Sequence, residues 1–193
     1  GSAAIRQLEE EEGFRAEKYS SGGKWYIGYG TECGAEDYPE GITREEAELL
    51  LMSKVEAYEA KLNDFFDRYD VTPTQGQFDA LICFSYNFGT GWMSGTSDLV
   101  KIARGEKDAT RLEVAHAFGE WCHSGGQAQA GLADRRLQEA AIFLDDDPRA
   151  AEDEFAYLII NKESGVYYET DFAVYEIGES YESFPKMEKL GYS

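Results

Sequence analysis

A chain of 193 residues, 42% of them hydrophobic, can bury one core, as one domain or as one domain with an appendage. Its 18 Lys and Arg against 38 Asp and Glu give a formal net charge of -20. That balance argues against nucleic acid, which needs clustered cations, and against an anionic membrane surface.

No run approaches membrane-spanning length, so no membrane insertion is expected, and no segment reads as a signal peptide. Gly1-Ser2 reads as a cloning remnant, which would place the natural N-terminus elsewhere. The three cysteines, Cys33, Cys83 and Cys122, form no CxxC pair, and only two histidines accompany them. Neither a metal site nor a cofactor is expected, and the odd count points to reduced thiols.

The first element expected is a short acidic helix over residues 5–12, with Ile5 and Leu8 inward. Glu9, Glu10, Glu11 and Glu12 form a charge run of the kind usually left to solvent. Glu12 stands apart because the helix runs out there into Gly13-Phe14-Arg15. A ribbon follows: Gly22-Gly23 is a tight-turn signal, and Trp25, Tyr26, Ile27 and Tyr29 favour strand. A ribbon folded back beside a helix end can hold a carboxyl against aromatic surface, where desolvation disfavours the charged form.

Residues 32–41 read as a loop. Thr43 and Glu46 make a capping box. The long helix after it carries Ala47, Leu50, Leu51, Val55, Tyr58, Leu62, Phe65, Phe66 and Tyr69 at three-and-four spacing. A helix of this length bridges two lobes, with a groove expected beside it. Thr72 is expected to cap the next helix, with Pro73 at its first position and Gln75 completing a box. Phe78, Leu81, Ile82, Ser85 and Tyr86 make that helix apolar nearly all round, hence central. Asn87 to Gly91 breaks it. Helices are expected at about 97–104, 108–121 and 132–144, with Ser124-Gly125-Gly126-Gln127 as a loop before the last. Residues 148–193 read as an extension packed on a main domain of residues 3–147: helical over 150–160, then one or two strands within 166–177.

Ordered motifs along the chain resemble the phage-type lysozymes of glycoside hydrolase family 24. The likeness rests on Glu12-Gly13-Phe14-Arg15, Tyr19, Gly23 and Ile27-Gly28-Tyr29-Gly30; on Gly41-Ile42-Thr43 with Glu46-Ala47; and on Gln77-Phe78-Asp79-Ala80-Leu81 through Phe84, Tyr86-Asn87 and Gly89-Thr90-Gly91. It continues through Trp121, Gly125-Gly126, Gly131-Leu132, Arg135-Arg136 and Glu139-Ala140-Ala141, and covers about residues 5–145. The resemblance implies a lysozyme-like α+β fold, a small ribbon lobe joined to a larger helical lobe by the long helix. It also implies a monomeric muramidase acting at the bacterial cell wall on peptidoglycan, with Glu12 as general acid. The chain departs from the family where a second catalytic group is expected. Ser21 stands at the family's aspartate position, Tyr26 at its threonine, and Thr31 at the histidine after the ribbon motif.

Glycoside cleavage needs an acid for the leaving oxygen and a group to manage oxocarbenium-like charge, usually two carboxyls. Ser21 can hold a water or a sugar hydroxyl but carries no charge, and Tyr26 presents a phenol that is a poor base. Glu32 or Asp37, after the ribbon, or Glu17, before it, are alternative second carboxylates. For the sugar itself, Trp25, Tyr26 and Tyr29 are candidate platforms, with Glu32, Asn87 and Gln127 as polar edges. Phe88, Trp92 and Trp121 read as core, and His116 and His123 as ordinary surface or helix histidines. Two rival readings remain open: a fold that binds wall glycan without cutting it, and the same fold retuned to another glycan.

Overall fold

The computed structural model describes residues 2–125, 127–144, 157–161, 165–169 and 181–182. The acidic helix α1 (Ser2–Glu12) buries Ala4 and Leu8 against α3 (Gln75–Phe88). Strands β1 (Arg15–Ser21), β2 (Lys24–Gly28) and β3 (Thr31–Cys33) form an antiparallel meander. Gly22 and Gly23, both at positive φ, make its first turn, as expected of a two-glycine hairpin.

The long helix α2 (Arg44–Tyr69) starts at Thr43 with a complete capping box to Glu46. It packs against β2 and β3 at one end and against α3 further along, so it joins ribbon to helical lobe. Its inward stripe is the expected one. Ala47, Leu51, Val55, Leu62, Phe65 and Phe66 are buried, and Leu50, Tyr58 and Tyr69 partly so. Asp70 ends it in the left-handed conformation. Gly28 is the close point between ribbon and helix. A Cβ there would lie 3.0 Å from that of Ala47, at a φ of 62° that side chains rarely adopt.

Helix α3 is central, with a buried run from Asp79 to Tyr86. Its cap is Thr74, boxed with Gln77, not Thr72 with Gln75. A short 3-10 turn (Gly91–Ser94), α4 (Asp98–Ala103) and α5 (Arg111–Gly119) complete the far side. Helix α5 opens on a Thr110–Glu113 box, three residues later than expected. The loop expected at 124–127 is instead a two-residue hairpin, β4 (His123–Ser124) with β5 (Gln127–Ala128), turned at Gly125 with φ 60°. Helix α6 (Ala130–Phe143) packs on α3 and α5.

In the extension, β6 (Tyr157–Asn161), β7 (Gly165–Glu169) and β8 (Tyr181–Glu182) form an antiparallel sheet in the order β7-β6-β8. Strands β6 and β7 lie against α6, α5 and β5. Residues 157–160 are therefore strand rather than helix. The continuous apolar run Tyr157, Leu158, Ile159, Ile160 is rich in β-formers and pairs residue for residue with β7. The expected helix over 150–156 and strand over 170–177 lie outside the described residues. Among the described residues all three cysteines are free, and no helix is long and apolar enough to cross a membrane.

Candidate active site

Glu12 is the last residue of α1, and Gly13, at φ 64°, turns the chain into β1. The helix end sets the carboxyl between ribbon and α6. Glu12 Oε1 accepts a 2.9 Å hydrogen bond from Arg135 Nη2, with the guanidinium side chain 8% exposed and the carboxylate 21%. Oε2 faces Gly30, where a Cβ would sit 3.0 Å away, and the Tyr19 hydroxyl is close by on the same side. The sequence suggests an aromatic setting for this carboxyl. The structure supplies an ion pair as well, with one oxygen pinned and the other turned to the ribbon.

The ribbon's hydrogen-bonding register decides what else faces that point. Tyr19 lies opposite Tyr26, Tyr26 opposite Glu32, and Ser21 opposite Lys24. Directly opposed residues share a face, as do residues two apart. Tyr19, Ser21, Lys24, Tyr26 and Glu32 therefore line one face. Tyr19 and Tyr26 stack at 5.7 Å across it, and the Arg15 guanidinium sits 4.3 Å from the Tyr19 ring centre. Burial raises the Tyr19 phenol above its ordinary pKa; Arg15 opposes that shift and Glu12 adds to it. Ser21 is exposed at the hairpin tip.

The three alternative carboxylates are placed differently. Glu32 stands on the Tyr26 face in a 2.8 Å ion pair with Lys24, both more than half exposed. Asp37 accepts the Gly34 N–H at 2.7 Å and so is committed to its own turn. Glu17 is exposed on β1.

Two expected sugar contacts are not brought to Glu12. Trp25, 40% exposed, lies opposite Ser20 and Cys33 and shares the other face of the ribbon with Ile27. Tyr29, expected to meet the sugar, is a core residue, 1% exposed. Its hydroxyl accepts from Arg44 at 2.9 Å, its carbonyl accepts from Tyr86 at 2.5 Å, and its ring packs on Phe14. The glycines on either side, both at positive φ, break the strand alternation and turn its side chain inward. Gln127 lies in β5, opposite Ser124.

Asn87 is exposed at the end of α3, and its Oδ1 accepts from both Nη1 and Nη2 of Arg136 at 3.3 Å. Arg136 and Glu139 are fully buried and bonded at 2.6 Å, and Arg135 Nε lies 3.4 Å from the same Glu139 oxygen. One buried carboxylate thus holds both arginines, and through them Glu12 on one side and Asn87 on the other.

Lys54 was not among the expected site residues. Its ammonium donates to the Gly30 carbonyl at 3.3 Å and lies 3.7 Å from the Tyr86 ring centre. Burial lowers its pKa, while Glu12 and Glu32 pull it back up. Burial pushes the Tyr86 phenol well above its ordinary value, with Glu12 adding to the shift. The signal for Lys54 was a lone cation within the stripe Leu50, Leu51, Val55, Tyr58. For Arg135 it was an i, i+4 partner, Glu139, on an apolar helix. The helical lobe also holds an open cavity of about 390 Å³ between Phe66, Val71, Ile102 and Phe143, which touches none of these residues.

Comparison with known proteins bears on this geometry. The model of one family, described as Phage lysozyme, matches residues 9–139. An endolysin of Bacillus phage B103 is 35% identical over 150 residues, 74% of this chain and 52% of the relative. An endolysin of Bacillus phage PZA is 36% identical over 151 residues, 76% of this chain and 55% of the relative. The chain thus spans about half the length of the curated relatives it matches. Among solved structures, the muramidase domain of SpmX from Asticaccaulis excentricus superposes with a TM-score of 0.63 at 28% identity, over 75% of this chain and 96% of that one. An endolysin from the Escherichia coli O157:H7 phage FAHEc1 does so at 0.62 and 30%, over 75% and 92%.

Proposed function

Because the chain belongs to the phage lysozyme family, we propose that it hydrolyses the β-1,4 bond between N-acetylmuramic acid and N-acetylglucosamine in peptidoglycan, with Glu12 as the general acid. The observation that carries this reading is the Glu12 carboxyl, pinned through Oε1 by Arg135 with Oε2 turned to the ribbon face. Once protonated, a carboxyl fixed in this way would deliver its proton to the glycosidic oxygen as the C–O bond breaks, while water adds to the anomeric carbon and gives up a proton to solvent. Orientation is supplied by Arg135 and, behind it, Glu139. Ser21 and Tyr26, on the same ribbon face, would hold the attacking water and the sugar. Glu32 is the carboxylate on that face that could offset developing positive charge once its Lys24 partner moves. The protein would act at the bacterial cell wall, after secretion or release by lysis.

One observation favours a second reading, a fold that grips wall glycan without cutting it. The hairpin tip carries an uncharged Ser21 where the family has a carboxylate, and Glu32 is already paired. Reducing-sugar release from purified peptidoglycan separates the two. Under the hydrolase reading Glu12→Gln lowers release by at least about 100-fold, the usual worth of a general acid. Equal release by parent and variant removes Glu12 from the mechanism, and sedimentation with insoluble wall without any release favours the binding module. Ser21→Asp is expected to raise the rate, and an unchanged rate means the second carboxylate geometry of the family is not used here.

A further inference from the structure

Lys24, Lys101 and Lys107 each meet a carboxylate, at 2.8 Å, 3.0 Å and 2.8 Å. Lys54 is partly buried, yet among the described residues no carboxylate is in contact with it. Two neutral groups hold its ammonium instead. It donates to the Gly30 carbonyl at 3.3 Å and lies 3.7 Å from the centre of the Tyr86 ring. That ring is itself fixed, because its phenol donates to the Tyr29 carbonyl. Taking an ammonium out of water without a counter-charge in contact is unfavourable, and neutral partners offset it only in part. The place where α2 accepts this adjoins Glu12. A Cβ on Gly30 would lie 3.0 Å from Glu12 Oε2, so the lysine holds the carbonyl of the residue against which that oxygen lies. Charges reach Lys54 from three elements besides the neutral Tyr86 ring of α3. Burial opposes its cationic form most; Glu12 of α1 and then Glu32 of β3 favour it, and Arg135 of α6 opposes it more weakly.

We propose that Lys54 is a positioning residue for Glu12, a second cation placed to answer the negative charge left on that carboxyl once its proton has gone to the glycosidic oxygen. The proposal rests on the reading of Glu12 as general acid. Arg135 serves the pinned oxygen, Oε1, and is shared with Glu139. Lys54 works from the other side, through the Gly30 peptide that faces Oε2. A cation interacts weakly with a neutral carboxyl and strongly with a carboxylate. Its attraction therefore grows as the proton leaves, and only an interaction that grows toward the transition state lowers the barrier. Lys54 touches no sugar in this scheme, so substrate affinity is left to other groups. The same attraction favours the ionised acid before substrate arrives. Its benefit is thus confined to pH values at which Glu12 still holds its proton.

The test joins two readouts on the full chain. Lys54→Gln keeps an N–H donor for the Gly30 carbonyl and removes the charge, whereas Lys54→Arg keeps both. With solubilised peptidoglycan, Lys54→Gln is expected to lower kcat about fivefold on the acid side of the pH profile and to leave KM alone. The deficit should narrow as pH rises, because without the cation Glu12 keeps its proton to higher pH. Lys54→Arg should stay within about twofold of the parent across the profile. The Glu12 carboxyl carbon resonance, titrated without substrate, should move to higher pH in the Gln variant and stay in place in the Arg variant. A kcat loss by the same factor at every pH, or an unmoved Glu12 titration, overturns the proposal while the hydrolase reading stands on the parent's activity. A displaced Glu12 titration in a chain whose parent releases no sugar supports the placement of Lys54 while that reading falls.

Discussion

Glu11 and Glu12 are neighbours with opposite fates. Glu12 is in reach of Arg135, while Glu11 accepts from Gln7 at 2.8 Å on the side of α1 that packs inward. Burial raises the Glu11 pKa above the ordinary 4.5; Arg135 and the Gln7 bond oppose the rise, and Asp134 and Glu12 add to it. A carboxyl whose folded-state pKa is raised contributes most to stability below the unfolded value and loses that contribution as pH rises through the folded value. At neutral pH, then, an ionised Glu11 works against the fold. Glu11→Gln keeps an amide oxygen for Gln7 and should raise the melting temperature at neutral pH, by no more than about 1 kcal/mol of stability. The gain should shrink as the pH is lowered toward 4.5 and vanish below it. A gain of the same size at acid pH would mean that charge is not its source.

The same scale shows where sequence reasoning stops. The position of Glu12, at a helix end that runs straight into the ribbon, was legible because Gly13, Phe14 and Arg15 follow it directly. Its partner Arg135 lies 123 positions away, and no local pattern joins the two. Tyr29 was misplaced for the reverse reason: strand alternation holds only where backbone stays extended, and Gly28 and Gly30 leave that region on both sides of it.

Among elements, the start of α2 was legible because its capping box is local. Thr43 with Glu46 forms as read, and Thr110 with Glu113 forms from the same S/T-x-x-E pattern, overlooked in the sequence. The segment Thr72-Pro73-Thr74-Gln75-Gly76-Gln77 contains two overlapping boxes, and local chemistry does not choose between them. Tertiary structure does. Asp70 turns the chain through the left-handed region, Val71 N–H bonds back to Phe66 O, and helical geometry resumes only after Thr74. Thr74 Oγ1 accepts the Gln77 N–H at 3.2 Å, and Gln77 Oε1 accepts the Thr74 N–H at 2.9 Å. Thr74→Ala should therefore lower the stability read from a denaturant midpoint by about 1 kcal/mol, with Thr72→Ala within about 0.3 kcal/mol of the parent. The reverse order would place the cap where the sequence first suggests it. Helix α6 gave no such signal, since Gln129 at its N-cap makes no side-chain capping bond, and its start was read two residues late.

At the scale of the whole molecule, charge and site pull in opposite directions. The chain carries a net -20, while cations gather at the candidate site: Arg135 and Lys54 beside Glu12, Arg136 behind Asn87, and Lys24 on the ribbon face. A bacterial wall rich in anionic polymer would repel the molecule at long range, and the site cations act only at contact. The two ranges separate with salt, because the screening length falls from about 30 Å at 0.01 M to about 8 Å at 0.15 M. Long-range repulsion is removed by that change, and partly buried pairs such as Arg135–Glu12 are hardly touched. Clearing of intact wall is thus expected to speed up several-fold between those two ionic strengths, with no comparable change for a short uncharged oligosaccharide. A rate that falls with salt on both substrates would mean that the local cations, not the net charge, govern encounter.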